Sequence, residues 1–186
     1  QGFAIGGLDV GETKEAMYSI VEHVAQLMPR ARPCHLLGVG SPEDLVECVS
    51  RGIDMFDCAL PSRVARNGAL FTLAGRVNIE ASVYKGGKGP VEDGCDCYTC
   101  RSFTVGYLHH LFRSGELLAL RLATLHNLRF VMRLMEEMRK AVIGGTFREY
   151  AQRFLARYIP ASQEVRMAQR GKWLATRERG QARGKR

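Results

Sequence analysis

Apolar and polar positions along the first 60 residues follow two alternating patterns. Short apolar runs lie at 3–5, 34–37 and 55–60. Residues 12–28 instead carry apolar side chains three or four positions apart, which is the spacing of a helix with one buried face. A second helix is expected from Ser41 to about Arg51, because a serine, a proline and two acids are typical of a helix start. Short strands that alternate with helices predict an α/β fold with parallel strands.

The pattern changes after Pro61, which we expect to close the third strand. The predicted features beyond it are, in order, a hairpin with strands at 69–72 and 77–79, a loop rich in glycine and lysine at 85–90, and helices from about 105 to 158 with breaks near 114 and 144. We therefore divide the chain into strand–helix units at 1–68, a second segment at 69–160 and a tail at 161–186.

Length and composition agree with one globular core, because 46% of the 186 residues are hydrophobic. No run approaches the roughly 18 apolar residues of a membrane span, and no signal-peptide pattern is present. We therefore expect a cytoplasmic protein with reduced thiols and no membrane partner. The sequence does not begin with methionine and enters an apolar stretch at once, so we also expect a fragment.

The formal net charge is +8, and most of it lies in the tail. Residues 166–186 hold eight Lys or Arg residues and one acid. Such a tail is more often a solvated, flexible end than a binding surface. Attraction to phosphates, driven by counterion release, is the functional alternative.

Cys95, Cys97 and Cys100 form a dense cluster of metal-binding side chains, and His126 follows on a predicted helix in the pattern C-x-C-x2-C-x25-H. Three thiolates and one imidazole suit tetrahedral zinc. Four protein ligands leave no open position for a substrate. We therefore expect one structural Zn²⁺ per chain, which would clamp the cysteine loop to the helix.

The fourth ligand has three candidates. His109 and His110 follow Cys100 closely, and a hairpin-like return to the cysteines would be cramped. A lone histidine on the apolar face of a helix is more often a packed core residue. For His126, however, the cysteine cluster upstream makes a role as metal ligand the better interpretation. We therefore favour His126.

Asp57 is the candidate catalytic group. It lies near the end of an apolar strand, where we expect a carboxylate to be partly desolvated, and working groups of parallel β/α folds lie at the carboxyl ends of strands. Such a carboxylate can attack a sugar carbon through an oxocarbenium-like transition state. An aspartate that accepts backbone hydrogen bonds is the commoner alternative. Arg63 and Arg66 follow closely and would either hold phosphates or form a solvated loop.

Three segments together carry a family resemblance: AIGGLDVGE at 4–12, LGVGSPEDL at 37–45 and GIDMFDCALPSR at 52–63. With the cysteine cluster and its distant histidine, they resemble the bacterial-type tRNA-guanine transglycosylases (queuine tRNA-ribosyltransferases). The likeness runs in order from residue 1 to about 158 and excludes the basic tail. It implies the C-terminal part of a (β/α)8 TIM barrel with an inserted zinc-binding subdomain.

The resemblance implies exchange of the wobble guanine in the tRNA anticodon loop for a 7-deazaguanine base during queuosine biosynthesis, by a protein that forms homodimers at full length. Asp57 matches the nucleophile that bonds to ribose C1′, and Gly7 and Leu8 match the base pocket. Val10 matches the bacterial form, whose incoming base is 7-aminomethyl-7-deazaguanine.

Two further segments match the RNA-contacting parts of the family. Their residues are Gly38, Val39, Gly40, Ser41, Pro42, Glu43 and Asp44 in the first segment, and Ser62, Arg63, Val64, Ala65 and Arg66 in the second, which recognises the wobble position. The four zinc ligands of the family match the cysteine cluster and His126. The family's general base belongs to the N-terminal half of the barrel, which this chain lacks, so we expect no turnover by the chain alone.

Two other classes compete with this interpretation. A non-catalytic, zinc-stabilised RNA-binding module or partner subunit of the same fold has no need to retain Asp57, so its presence favours the enzyme. A metal-dependent barrel hydrolase would need histidines and aspartates at several strand ends to hold an open metal site. The metal-binding set of this chain lies outside the β/α part, which argues against that class.

Overall fold

A computed structural model describes residues 2–8 and 12–160. Its first half confirms the predicted alternation of strands and helices. The elements are, in order, β1 (Phe3–Ile5), α1 (Lys14–Leu27), β2 (Cys34–Leu37), α2 (Pro42–Ser50), β3 (Met55–Asp57) and α3 (Leu60–Arg66). The three strands form a parallel sheet in the order β1-β2-β3, with Phe3 aligned to Cys34 and Leu37 aligned to Asp57.

The third strand is shorter than the sequence predicts. We expected it to reach residue 60 with Pro61 closing it, but β3 ends at Asp57 and α3 begins at Leu60. Pro61 therefore occupies the first turn of a helix, where its missing N–H costs no hydrogen bond. The carbonyl of Ala59 accepts the backbone N–H of Arg63 and so closes that turn. Residues 62–66 thus form a helix rather than a loop.

Each strand has one covered face and one open face. Ile5, Leu36 and Phe56 lie on the covered face, where they pack with Met17 and Val21 of α1. Because side chains alternate along a strand, the neighbouring residues project to the opposite face. That second set consists of Ala4, His35, Leu37, Met55 and Asp57, which are exposed or only partly buried. The open face therefore carries the candidate nucleophile.

The second half confirms the predicted hairpin and helices. Its elements are β4 (Ala69–Thr72), β5 (Gly75–Asn78), a 3-10 turn at Ser82–Tyr84, α4 (Tyr98–Ser102), α5 (Val105–Arg113), α6 (Leu117–Ile143) and α7 (Phe147–Arg157). The breaks fall between α5 and α6 and between α6 and α7, as expected. The 27-residue helix α6 packs against α3, β4, α4, α5 and α7 and is the central support of this half.

One hydrophobic cluster crosses the predicted boundary at residue 68. It joins Leu45 and Val64 from the first segment to Phe71, Phe130 and Leu134 from the second. The division into segments 1–68 and 69–160 stays a prediction, and residues 1, 9–11 and 161–186, including Val10 and the basic tail, lie outside the described part. Within that part, no helix combines the length and apolar character that crossing a bilayer requires.

Candidate metal centre and strand-end carboxylate

The four predicted metal ligands converge in the structure. Cys95 and Cys97 lie just before α4, Cys100 lies within it, and His126 lies on α6. Their ligand atoms all lie within 4.8 Å of one another. His126 Nδ1 is 3.8, 3.6 and 3.4 Å from the sulfurs of Cys95, Cys97 and Cys100. A sulfur and a nitrogen bound tetrahedrally to one zinc are about 3.6 Å apart, so these spacings fit such an ion.

The ring of His126 is held with its coordinating nitrogen towards the sulfurs. Nε2 lies 2.7 Å from the carbonyl oxygen of Phe71 and donates its proton there, and the side chain is fully buried. The lone pair of Nδ1 is therefore available to a metal, which is the usual arrangement of a metal-binding histidine whose other nitrogen bonds a carbonyl. His109 is engaged elsewhere, because its Nδ1 lies 2.8 Å from the carbonyl of Ile79. The structure thus brings His126, rather than His109, to the three cysteines.

The electrostatics of the cluster favour a bound cation. Hydrogen bonding from Cys100 and Cys95 lowers the pKa of the Cys97 thiol. Contact with Cys95 and Cys97 raises the pKa of the Cys100 thiol. Three sulfurs so close together cannot all ionise without a positive charge between them, because like charges at this distance disfavour one another. A soft divalent cation supplies that charge and converts all three into ligands.

Two arginines of α6 hold the loop that carries the cysteines, and neither is among the predicted site residues. Arg129 makes a bidentate ion pair with Asp96, at 2.8 and 2.7 Å. Arg133 bonds Glu92 at 2.6 Å, and the other oxygen of Glu92 accepts the backbone N–H of Leu73. Arg129 lies one turn after His126 on the same helix, and Arg133 lies two turns after it. Helical spacing from the histidine, together with acids in the preceding loop, is the sequence signal that could have predicted these arginines.

Asp57 lies at the carboxyl edge of the sheet. The backbone N–H of Gly38 donates to its carbonyl at 2.9 Å, which joins the ends of β2 and β3. Its side chain is 63% exposed among the described residues, so the expected partial desolvation is not observed there. His35 Nε2 lies 3.0 Å from Asp57 Oδ1, a contact that we did not predict.

The glycines of the two predicted binding segments lie at the same edge. Gly7 follows β1 and Gly38 follows β2, and both adopt φ of +81°, which L side chains rarely tolerate. Gly40 is in close contact with the residue after Asp57, since a Cβ added there would lie 2.5 Å from the Cβ of Cys58. Parallel strands thus bring these three glycines and Asp57 together, as the topology predicts.

The predicted RNA-contacting residues divide into exposed and buried groups. Glu43 and Asp44 are 7% and 5% exposed, and both carboxylates bond Lys14 Nζ, at 2.6 and 2.5 Å. Asp44 also accepts the hydroxyl protons of Tyr18 and Ser41, so Ser41 stands at the N-cap of α2 without capping its backbone. This network attaches α2 to α1. Its two acids face inward and share one cation, Lys14, so they are not presented to a polyanion.

The second RNA segment shows the same division. Val64 and Ala65 belong to the hydrophobic clusters, whereas Arg63 and Arg66 are exposed on α3. Neither arginine has an ion pair within the described part of the chain. The segment therefore presents two uncompensated positive charges within ten residues of Asp57, as far as the described residues go.

Comparison with known proteins gives one consistent result. The family model described as Queuine tRNA-ribosyltransferase matches residues 1–160. A queuine tRNA-ribosyltransferase of Dehalococcoides mccartyi strain 195 is 49% identical over 176 residues, which cover 95% of this chain and 45% of the relative. One from Herpetosiphon aurantiacus is 52% identical over 169 residues (91% and 43%), and one from Francisella tularensis subsp. novicida is 54% identical over 157 residues (84% and 43%). The chain thus spans less than half the length of these relatives. It belongs to the queuine tRNA-ribosyltransferase family.

Proposed function

We propose that this chain is the C-terminal part of a tRNA-guanine transglycosylase, in which Asp57 is the nucleophile. The observation that carries the proposal is the position of its exposed carboxylate at the carboxyl edge of the parallel sheet, the edge that also carries Gly7 and Gly38. Family membership supports the same reaction. The complete enzyme would exchange the wobble guanine of tRNA for 7-aminomethyl-7-deazaguanine in queuosine biosynthesis.

The exchange proceeds in two displacements at one carbon. An oxygen of Asp57 forms a bond to ribose C1′ as the bond from C1′ to guanine N9 breaks, and the transition state resembles an oxocarbenium ion. N9 of the incoming base then attacks C1′ and releases the carboxylate. The departing base takes up one proton and the incoming base gives one up. We expect the group that moves this proton in the N-terminal half of the barrel, as the family resemblance implies.

Recognition of tRNA would use the exposed part of the predicted segments. Arg63 and Arg66 carry guanidinium groups suited to bidentate phosphate contacts, and they follow Asp57 on α3. Gly38 allows close approach of backbone to the RNA, and Gly7 with Leu8 would line the base pocket. The buried residues of these segments would act by supporting the exposed ones.

Cys95, Cys97, Cys100 and His126 would bind one structural Zn²⁺. When bound, zinc supplies no chemistry to the reaction, because four protein ligands leave no open position. It would cross-link the cysteine loop to α6 and contribute directly to folding. Other residues of the chain position the ligands. The carbonyl of Phe71 orients the ring of His126, and Arg129 and Arg133 of α6 hold the cysteine loop.

The barrel, the homodimer and the cytoplasmic location are part of the same proposal. The sequential order of the three parallel strands is the order that neighbouring strands take in a (β/α)8 barrel. An exposed stripe of Leu125, Leu128 and Met132 on α6 has the spacing of a helix face that packs on another protein surface, which suits a dimer contact.

The test is guanine exchange and trapping of the covalent tRNA adduct by the complete enzyme. Asp57→Asn should abolish both the adduct on a denaturing gel and the incorporation of labelled base. Asp93→Asn changes an exposed acid in the cysteine loop and is the matched control. An adduct that persists in the Asp57 variant would exclude this nucleophile. An unaltered protein that binds tRNA but forms no adduct and exchanges no base would instead favour the competing class, a non-catalytic RNA-binding partner.

A further inference from the structure

His35 lies on the open face of the sheet beside the proposed nucleophile. Its Cα is aligned with that of Met55 on β3, so Asp57 lies two residues further along the same strand and on the same face. Nε2 of His35 is 3.0 Å from Oδ1 of Asp57. The nitrogen itself is buried and has no hydrogen-bond partner within the described residues, and the oxygen of Asp57 is the acceptor within its reach. A hydrogen bond between them requires the ring N–H to turn towards that oxygen.

The surroundings of His35 present one carboxylate to it. On one side, β1 has the sequence Phe-Ala-Ile and contributes no titratable group. On the other side, β3 contributes Asp57, while Asp54 before it accepts the backbone N–H of Cys34 at 2.7 Å. The thiol of Cys58 donates to the carbonyl of Gly38. Within the described chain, Asp57 is therefore the charged group that faces the ring nitrogen.

We infer that His35 is a positioning residue for Asp57, an inference that rests on the proposed function. In the Nε2–H form, the ring donates to Oδ1 and fixes the rotation of the carboxylate. The lone pairs of Oδ2 are then left to attack ribose C1′. This matters because nucleophile and carbon react only when they are held in near-attack geometry. An exposed carboxylate without this bond would rotate freely.

Two substitutions separate positioning from packing. His35→Gln keeps an N–H donor, and His35→Leu keeps similar volume without a donor. The same two changes at His23, an exposed histidine of α1, serve as matched controls. The experiment uses the complete enzyme and measures single-turnover adduct formation at pH 8, KM for tRNA, and Tm.

We expect His35→Leu to form the adduct about 10- to 100-fold more slowly at pH 8, which is the effect of losing one hydrogen bond to a charged group. KM for tRNA should change less than about threefold, because positioning acts on the chemical step. His35→Gln should stay within a few fold of the unaltered enzyme, because it restores the donor. The His23 variants should keep the rate of the unaltered enzyme.

Two results would overturn the inference. They are an unchanged rate in His35→Leu and equal losses in the two His35 variants. Its failure is distinguishable from failure of the proposed function, because Asp57→Asn is measured in the same series. If that variant forms no adduct while the His35 variants behave normally, the nucleophile stands and the positioning role falls.

Discussion

Asn127 should be one of the most sensitive positions for stability, since it links three parts of the chain. Its side chain is fully buried beside His126 on α6. Oδ1 accepts the backbone N–H of Phe71 at 2.9 Å, and Nδ2 donates to the carbonyls of Pro61 and Ala69 at 3.1 and 3.0 Å. Pro61 lies in the first turn of α3, four residues after Asp57. Asn127 therefore connects the metal-bearing helix to the segment that follows the candidate nucleophile.

The expected cost of Asn127→Ala follows from these bonds. Each of the three contributes about 1 kcal/mol net, and the orphaned N–H of Phe71 adds about 1–3 kcal/mol because it stays buried without a partner. The free energy of unfolding should therefore fall by about 4–6 kcal/mol. Asn127→Asp keeps the acceptor but places a carboxylate oxygen against two carbonyls, so its loss should be at least as large.

Urea unfolding of the metal-loaded protein, followed by circular dichroism, measures these differences. The matched control is Asn67→Ala, because the exposed amide of Asn67 donates one bond, to the carbonyl of Arg63. That control should cost less than about 1 kcal/mol. A loss below about 1 kcal/mol for Asn127→Ala would refute the reasoning. It would mean that water or relaxed backbone replaces the three bonds.

Two further predictions concern the sheet edge and the metal site. Gly40→Ala should lower the free energy of unfolding by about 1–3 kcal/mol, because the added Cβ would lie 2.5 Å from the Cβ of Cys58. Gly89→Ala is the control, since its added Cβ meets no atom within 4 Å and should leave the urea midpoint nearly unchanged. Equal midpoints for the two variants would contradict the close packing at Gly40. His126→Ala should lose bound zinc, measured as metal per chain after dialysis, whereas His109→Ala should retain about one ion because its ring bonds Ile79 instead. Loss of metal from the His109 variant alone would reverse the ligand assignment.

Much of the architecture was determined by local features of the sequence. The strands and α1 follow from apolar spacing, and the start of α2 follows from Ser41 and Pro42, because these signals act within a few residues. The three cysteines predict a metal site for the same reason, since their spacing within six residues already brings their sulfurs together. Family membership follows from motifs that are likewise contiguous.

The tertiary structure decided what depends on residues distant in sequence. The choice of His126 over His109 required knowing which ring reaches the cysteines and which one bonds Ile79. The inward orientation of Glu43 depends on Lys14, 29 residues earlier. Such contacts arise from the packing of whole elements, and the sequence contains no short-range signal for them.

The surroundings of Asp57 show both contributions together. Its place near a strand end follows from the apolar run around it. The same run predicts a strand that reaches Leu60, which is wrong, because Leu60 begins a helix. Its neighbour His35 lies 22 positions earlier and comes within 3.0 Å only because β2 and β3 pair in parallel in this register. The local sequence therefore predicts the position of Asp57 at a strand end. The contact with His35 depends on strand pairing, because register is a property of the assembled sheet.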